Sequence, residues 1–233
     1  MVRPDPALRR LLRETQKLLE PYGFHGSDPR WVRVEPGGVA AVERTRASRT
    51  WTDGQQVLRF DLHLTATPTA WWEFGNWRNS RLGLPAIPLE AATGPDLITT
   101  RNPAEPWILR TAPDGHVPQA DIDSVRAELP RRIHAYARRA LQLVEPGIYL
   151  DELVARADPH IGTWETIVVL LAGHGPGQRL DDAIQQLYAC CAGREPSEYT
   201  RDVIAYAQRT AARSAAARTP EIPATRMQAA GSP

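Results

Sequence analysis

The stretch that decides the fold covers residues 57–65 and reads Val57-Leu-Arg-Phe-Asp-Leu-His-Leu-Thr65. Apolar side chains occupy alternate positions, and Arg59, Asp61 and His63 occupy the positions between them. A period of two is typical of a β-strand that has one face on a core and the other in water. We therefore predict one strand over residues 57–65 whose apolar side chains are buried together. These side chains are Leu58, Phe60, Leu62 and Leu64.

The segments upstream of this strand predict the rest of a small antiparallel sheet. Residues 31–34 and 39–46 read as two strands joined by a glycine turn. Residues 6–22 predict a helix, because their leucines recur at spacings of three and four. The expected fold class is α+β, with an antiparallel sheet of three to five strands and a packed N-terminal helix.

The remainder of the chain predicts a helical C-terminal half. Residues 121–144 form a long helical pattern in which Pro130 produces a kink or the start of a second helix. Further helices are predicted over residues 148–156, 163–172, 179–192 and 196–218. Residues 67–118 lack periodicity and predict irregular loops, apart from a short strand at residues 107–110. The expected domains are a sheet domain (1–145), a helical region docked on it (146–218) and a disordered tail (219–233).

Composition restricts the class of partner. The 233 residues carry a formal net charge of +1, so the charge gives no reason to expect nucleic acid or an anionic membrane as partner. Arginine, alanine and proline are abundant beside a single lysine, Lys17, which is typical of a GC-rich bacterial genome. The only cysteines, Cys190 and Cys191, are adjacent and form no disulfide framework. The lack of a disulfide framework fits a reducing cytosol, and no apolar run is long enough to span a bilayer, so a soluble cytoplasmic protein is expected.

No catalytic or cofactor signature is present. The six histidines show none of the spacings of a zinc site, and no metal is predicted. The glycines of residues 173–177 follow a helix instead of a strand and predict a connector, not a phosphate loop. The adjacent cysteines lie near the end of a predicted helix, where a thiolate is disfavoured. We therefore expect no cofactor and assign no catalytic residue.

One cluster stands above this background, at residues 71–81. It holds three tryptophans and two arginines, residue types that are enriched in binding hot spots. The candidate ligand-binding residues are Trp72, Trp77, Arg78 and Arg81 of this cluster, with Arg59, Asp61 and His63 from the polar strand face. The alternative is a packing role, in which the tryptophans fill the core under a loop and the arginines lie over them.

The front half of the chain resembles a bacterial family of unknown function, DUF4304. The resemblance covers residues 8–144 and rests on short segments at consistent positions. These are Gly23-Phe24, Trp31-Val32-Arg33, the strand of residues 57–65, the Asn76-Trp77-Arg78-Asn79-Ser80-Arg81 segment and Trp107 before a long helix. The resemblance implies an α+β fold and no established activity.

Two functions follow from these observations. The first is a non-catalytic binding or accessory protein that recognises a protein or a small ligand through loops at the sheet edge. The second is an enzyme whose site combines residues 71–81 with the polar face of residues 57–65. A pocket that holds Asp61 or His63 beside Arg78 or Arg81 favours the enzyme, whereas an exposed apolar groove favours the binding protein.

Overall fold

The computed structural model describes residues 4–52, 54–95, 105–112 and 115–218. It is an α+β fold, as predicted, with two antiparallel sheets and a helical C-terminal half. The helices are α1 (Pro4–Leu19), α2 (Thr69–Arg81), α3 (Gln119–Leu143), α4 (Ile148–Val154), α5 (Ile161–Ala172), α6 (Gln178–Cys190) and α7 (Glu198–Arg218). The strands are β1 (His25–Ser27), β2 (Arg30–Glu35), β3 (Gly38–Arg44), β4 (Ser48–Thr52), β5 (Gln55–Phe60), β6 (Leu62–Pro68) and β7 (Trp107–Arg110).

The stretch of residues 57–65 belongs to two strands in different sheets. Strand β6 joins the sheet of order β1-β2-β3-β6, whereas β5 is the central strand of the sheet β4-β5-β7. The prediction of a single strand is therefore wrong at Asp61. There the backbone N–H donates to the Thr45 hydroxyl and the carboxylate accepts from the Leu62 N–H, so side-chain bonds interrupt the ladder.

The predicted burial across this break is confirmed. The four alternating apolar side chains are at most 2% exposed and belong to one core cluster: Leu58, Phe60, Leu62 and Leu64. Helix α3 contacts β3 and β6 of the first sheet and β7 of the second. One long helix therefore covers the inner faces of both sheets, and the side-chain alternation continues across the change of sheet.

The N-terminal helix is confirmed in position and in its buried face. Leu11 and Leu19 are completely buried, and α1 packs against α3. A single 3₁₀ turn, Glu20–Tyr22, follows α1 and ends at Gly23, whose φ of 76° is left-handed. That conformation favours glycine because other residues place a Cβ close to the backbone.

The prediction of loops across residues 67–118 is wrong for residues 69–81, which form α2. Both sides of this helix make contacts. Its apolar side chains are therefore not confined to one face, and the sequence shows little of the 3.6-residue period of an amphipathic helix. Phe74 packs against Tyr199 and Tyr206 of α7, whereas Trp72 and Asn76 bond to the carbonyl oxygen of Ile87. The short strand predicted at residues 107–110 is confirmed as β7.

A single helix, α3, continues through Pro130, so a second helix does not begin there. Pro130 is exposed, and water at the helix surface can satisfy the carbonyl oxygen that the proline leaves without a donor. Residues 173–177 connect α5 to α6, as predicted.

The C-terminal helices pack around α5, which contacts α4, α6, α7 and also α2. Residues on both sides of position 145 therefore share one core cluster. The boundary at 145 stays a prediction, and the tail predicted over residues 219–233 lies outside the described residues. Within the described ranges, no helix is both long and apolar enough to cross a membrane.

Candidate functional site

The two arginines of the predicted cluster bind a carboxylate of the same chain. Arg78 Nε lies 3.2 Å from Asp202 Oδ2, and Arg81 Nη1 donates to Asp202 Oδ1. The Asp202 side chain is 8% exposed. The guanidinium carbons of Arg78 and Arg81 each lie 5.0 Å from a ring centroid, that of Tyr199 and that of Trp77 respectively. The geometry matches the packing role that the sequence left open, with α2 joined to α7 through a buried ion pair.

The aromatic rings beside this ion pair surround Phe74. The Trp71, Trp77, Tyr199 and Tyr206 rings all have centroids within 6.1 Å of the Phe74 ring. Burial raises the pKa of Tyr199 to about 12, and the negative charge of Glu165 acts in the same direction. These phenols therefore stay neutral at physiological pH and serve as packing groups.

A second buried carboxylate lies behind this cluster. Glu165 of α5 accepts a 2.7 Å hydrogen bond from the Thr200 hydroxyl, and the Thr200 N–H donates to Ser197 Oγ. Burial raises the pKa of Glu165 above its usual value, and the hydrogen bond from Thr200 offsets only part of that rise.

The other predicted site residues lie in separate places. Trp72 Nε1 donates to the Ile87 carbonyl at 2.7 Å and holds the chain after α2 against the helix. Arg59 is exposed on β5 and donates to the Thr50 hydroxyl. His63 Nε2 lies 3.9 Å from Glu43 Oε2 on the neighbouring strand.

Asp61 lies beside a different arginine, Arg132 of α3. Arg132 Nη1 is 3.5 Å from Asp61 Oδ1, and Nη2 is 2.7 Å from Glu128 Oε2. Burial raises the pKa of Asp61, and the Leu62 N–H and the Arg132 charge offset part of the rise. The catalytic alternative requires Asp61 or His63 to lie beside Arg78 or Arg81. The contacts of the described residues do not show this arrangement, because Arg78 and Arg81 bind Asp202.

A cleft that the sequence analysis did not identify lies between α1 and the end of β1. Its volume is about 480 Å³. Its walls come from Pro6, Arg9, Leu12, Arg13, Gln16, Ser27 and Asp28, and we call it the arginine cleft. Arg9, Arg13 and Gln16 follow one another at spacings of four and three, which places them on one face of the helix. Because β1 is an edge strand of its sheet, the cleft lies at the sheet edge.

Among the described residues, no carboxylate pairs with the two arginines that line the arginine cleft. Its one carboxylate, Asp28, is bound through both oxygens by Arg44. Arg9 and Arg13 are exposed, and in the described structure neither forms an ion pair, whereas Arg10 lies 3.6 Å from Glu14. Like charges four residues apart destabilise a helix slightly, so stability does not explain this pair.

A second polar cleft, of about 420 Å³, lies between β7 and α3 and differs in its charge balance. There Arg110 pairs with Asp121, and Arg132 pairs with Glu128. The charges that line it are therefore largely neutralised by each other. The two clefts therefore differ: Arg9 and Arg13 of the arginine cleft form no ion pair in the described structure, whereas Arg110 and Arg132 of the second cleft do.

The sequence contains one signal for the arginine cleft, because Arg9 and Arg13 are four residues apart on a predicted helix. It contains no signal that Ser27 forms the opposite wall. In the described ranges, no cluster of three or more His, Cys, Asp or Glu side chains is arranged to hold a metal ion. Comparisons with family models, curated proteins and solved structures give no significant match, so the resemblance to DUF4304 stays a prediction.

Proposed function

We propose that this chain is a non-catalytic binding protein that takes a small organic anion in the arginine cleft. The observation that carries the proposal is the pair Arg9 and Arg13, two guanidinium groups on one wall of a cleft that supplies no counter-ion. The abundance of arginine and the adjacent free cysteines support a bacterial, cytoplasmic accessory protein. The net charge of +1 supports a small ligand over nucleic acid.

The lining of the cleft supports one class of ligand. Guanidinium groups donate pairs of hydrogen bonds to carboxylate, phosphate or sulfonate oxygens. Pro6 and Leu12 add apolar surface for the body of the ligand, and Gln16 and Ser27 supply orienting polar groups. A volume near 480 Å³ falls in the range of small-molecule sites. The ligand class is therefore an organic anion with an apolar body.

The test uses 1-anilinonaphthalene-8-sulfonate, an aromatic sulfonate whose fluorescence rises on binding. We expect Arg9→Gln/Arg13→Gln to weaken its affinity about tenfold, because about 1.4 kcal/mol of charge-assisted bonding is lost. The matched control is Arg209→Gln/Arg213→Gln, which removes two exposed arginines four apart on α7. This control changes the net charge equally and should bind the probe as the wild type does.

Two further arms separate the charge from the apolar body. Inorganic pyrophosphate should displace the probe from the wild type, because it competes for the guanidinium groups. Raising the ionic strength should weaken binding to the wild type more than to the Arg9→Gln/Arg13→Gln variant. Equal affinities of the wild type and that variant, or an equal loss in the α7 control, would refute the proposal.

A further inference from the structure

One face of α2 binds the main chain of the segment that follows it. Trp72, Asn76 and Asn79 lie at spacings of four and three, which places them on one face of the helix. Trp72 Nε1 and Asn76 Nδ2 both donate to the Ile87 carbonyl oxygen, at 2.7 and 3.0 Å. Asn79 Nδ2 donates to the Pro85 carbonyl oxygen at 3.2 Å. We call these three side chains the donor ladder.

Asn76 binds Ile87 through both of that residue's main-chain polar groups. Its Nδ2 donates to the Ile87 carbonyl oxygen, and its Oδ1 accepts from the Ile87 N–H at 2.7 Å. The side-chain amide thus pairs as a second peptide group would. This contact needs an N–H group on the bound residue, which excludes proline at that position. It does not depend on the isoleucine side chain, which is 42% exposed.

The bound segment has the shape of a polyproline II helix. Residues 84–88, which we call the proline strap, belong to no helix or strand. Pro88 has a φ of −63° and a ψ of 152°, and the ring of Pro85 fixes its φ near the same value. The residue before each proline is restricted to extended conformations as well. The donor ladder therefore binds an extended Pro-x-x-Pro segment whose shape is largely fixed before it binds.

The proline strap is bound without burial of its own side chains. All five of its residues are exposed, including Leu84 at 53%. The four side-chain hydrogen bonds that hold it lie at the surface, where each such bond contributes little to stability. Beyond the strap, Leu89 packs against the apolar patch of Val32, Val39 and Ala41 and fixes the chain again. A segment that is fixed at both ends and weakly held between them opens locally while the core stays folded.

We propose that the donor ladder is a binding site for an extended, proline-containing segment of another protein, and that the proline strap occupies this site until such a segment replaces it. The ligand needs two prolines three residues apart to fix its shape. It also needs a residue other than proline directly before the second proline, to donate to Asn76. The strap sequence, Leu-Pro-Ala-Ile-Pro, meets both requirements. The site lies on α2 and is separate from the arginine cleft between α1 and β1.

Fluorescence anisotropy of a labelled peptide with the sequence of residues 82–90 tests the site on the full chain. The attached strap competes with the peptide, so it lowers the apparent affinity by the fraction of chains in which the ladder is occupied. Pro85→Gly/Pro88→Gly makes the strap flexible and should raise the affinity for the peptide at least about tenfold. The matched control Pro146→Gly/Pro176→Gly replaces two exposed prolines outside the strap and should bind the peptide as the wild type does.

Two further comparisons identify the contacts. In the Pro85→Gly/Pro88→Gly background, Asn76→Leu removes two bonds to the peptide and should weaken its binding about tenfold. Glu73→Leu makes the same replacement at an exposed position of α2 and should not weaken it. A peptide that is N-methylated at the isoleucine lacks the donor to Asn76 and should bind as weakly as the unmodified peptide binds Asn76→Leu. N-methylation at the alanine should be tolerated, because the ladder bonds to Pro85 and Ile87 and not to Ala86.

The outcomes separate a binding site from a purely structural contact. The proposal fails if the peptide binds Pro85→Gly/Pro88→Gly no more tightly than the Pro146→Gly/Pro176→Gly control, or if Asn76→Leu and Glu73→Leu bind it alike. Unfolding of Pro85→Gly/Pro88→Gly, measured by circular dichroism, would overturn it by showing that the strap is an integral part of the fold. Wild-type dimers that Asn76→Leu dissociates would also overturn it, because the ladder would then bind the strap of a second copy.

Discussion

Removing Arg78 and Arg81 together should destabilise the fold, because it leaves the Asp202 carboxylate buried without a cation. Asp202 is 8% exposed, and these two arginines are the cations the structure places against it. An uncompensated buried charge costs about 3–5 kcal/mol. The Arg81 side chain is 53% exposed, so water can enter where it is removed. We therefore expect Arg78→Ala/Arg81→Ala to lower the free energy of unfolding by about 2–4 kcal/mol.

Each single variant should lower the free energy of unfolding by less than half as much as the double variant does. After Arg78→Ala or Arg81→Ala the other guanidinium still binds Asp202, so each should cost about 0.5–1.5 kcal/mol. The double variant should then exceed the sum, which is the coupling expected of groups that share one partner. Adding Asp202→Asn to the double variant removes the unpaired charge and should restore about 1–2 kcal/mol.

The assay is urea denaturation followed by circular dichroism, with the slope m checked for constancy. The control Arg209→Ala/Arg213→Ala removes two exposed arginines from α7 and should change stability by less than about 0.5 kcal/mol. The reasoning fails if Arg78→Ala/Arg81→Ala is as stable as this control. It also fails if Asp202→Asn destabilises the double variant further.

Two further predictions concern buried groups elsewhere in the fold. Burial raises the pKa of Glu165 in the folded state. The stability contributed by its protonated form is therefore complete below the unfolded-state pKa and is lost as the pH rises through the folded-state pKa. Glu165→Gln keeps an oxygen for Thr200 and removes the titrating group, so the urea midpoint should fall less from acidic to neutral pH than in the wild type, and an equal fall would contradict this prediction. Gly37→Ala would place a Cβ 2.0 Å from the Val144 carbonyl oxygen and should cost about 1–3 kcal/mol. Gly75→Ala in α2 meets no atom within 4 Å and should gain up to about 1 kcal/mol, so thermal midpoints that shift alike for both glycine variants would refute the steric argument.

The sequence predicted those parts of the fold that depend on local periodicity. Alternation in residues 57–65 predicted which side chains are buried, because alternate side chains on a strand point to the same face. It did not predict the break at Asp61, because that break depends on Thr45, which lies on a different segment. Helix α2 was missed because its two sides pack against different elements, so apolar and polar side chains are mixed around the helix and give no 3.6-residue period.

The candidate site was harder to predict, because its partners are distant in sequence. The sequence indicated that Arg78 and Arg81 have a special role, but Asp202 lies on the last helix and gives no local sign of binding them. The positive face at Arg9 and Arg13 is visible in the helical pattern. The opposite wall depends on where β1 ends, at Ser27, which only the folded chain establishes.

Strand β7 lies far along the chain from β4 and β5, so their sheet stays incomplete during synthesis until residues 107–110 have been made. Strands β4 and β5 are neighbours in sequence, whereas Phe60 of β5 pairs with Trp107 only after all of α2 has been made. Closing that loop costs entropy before the pairing is gained. A nascent chain that ends before Trp107 therefore presents Leu58 and Phe60 without their strand partner on that side. Translation that pauses in this interval should expose the half-built sheet to chaperones or to aggregation.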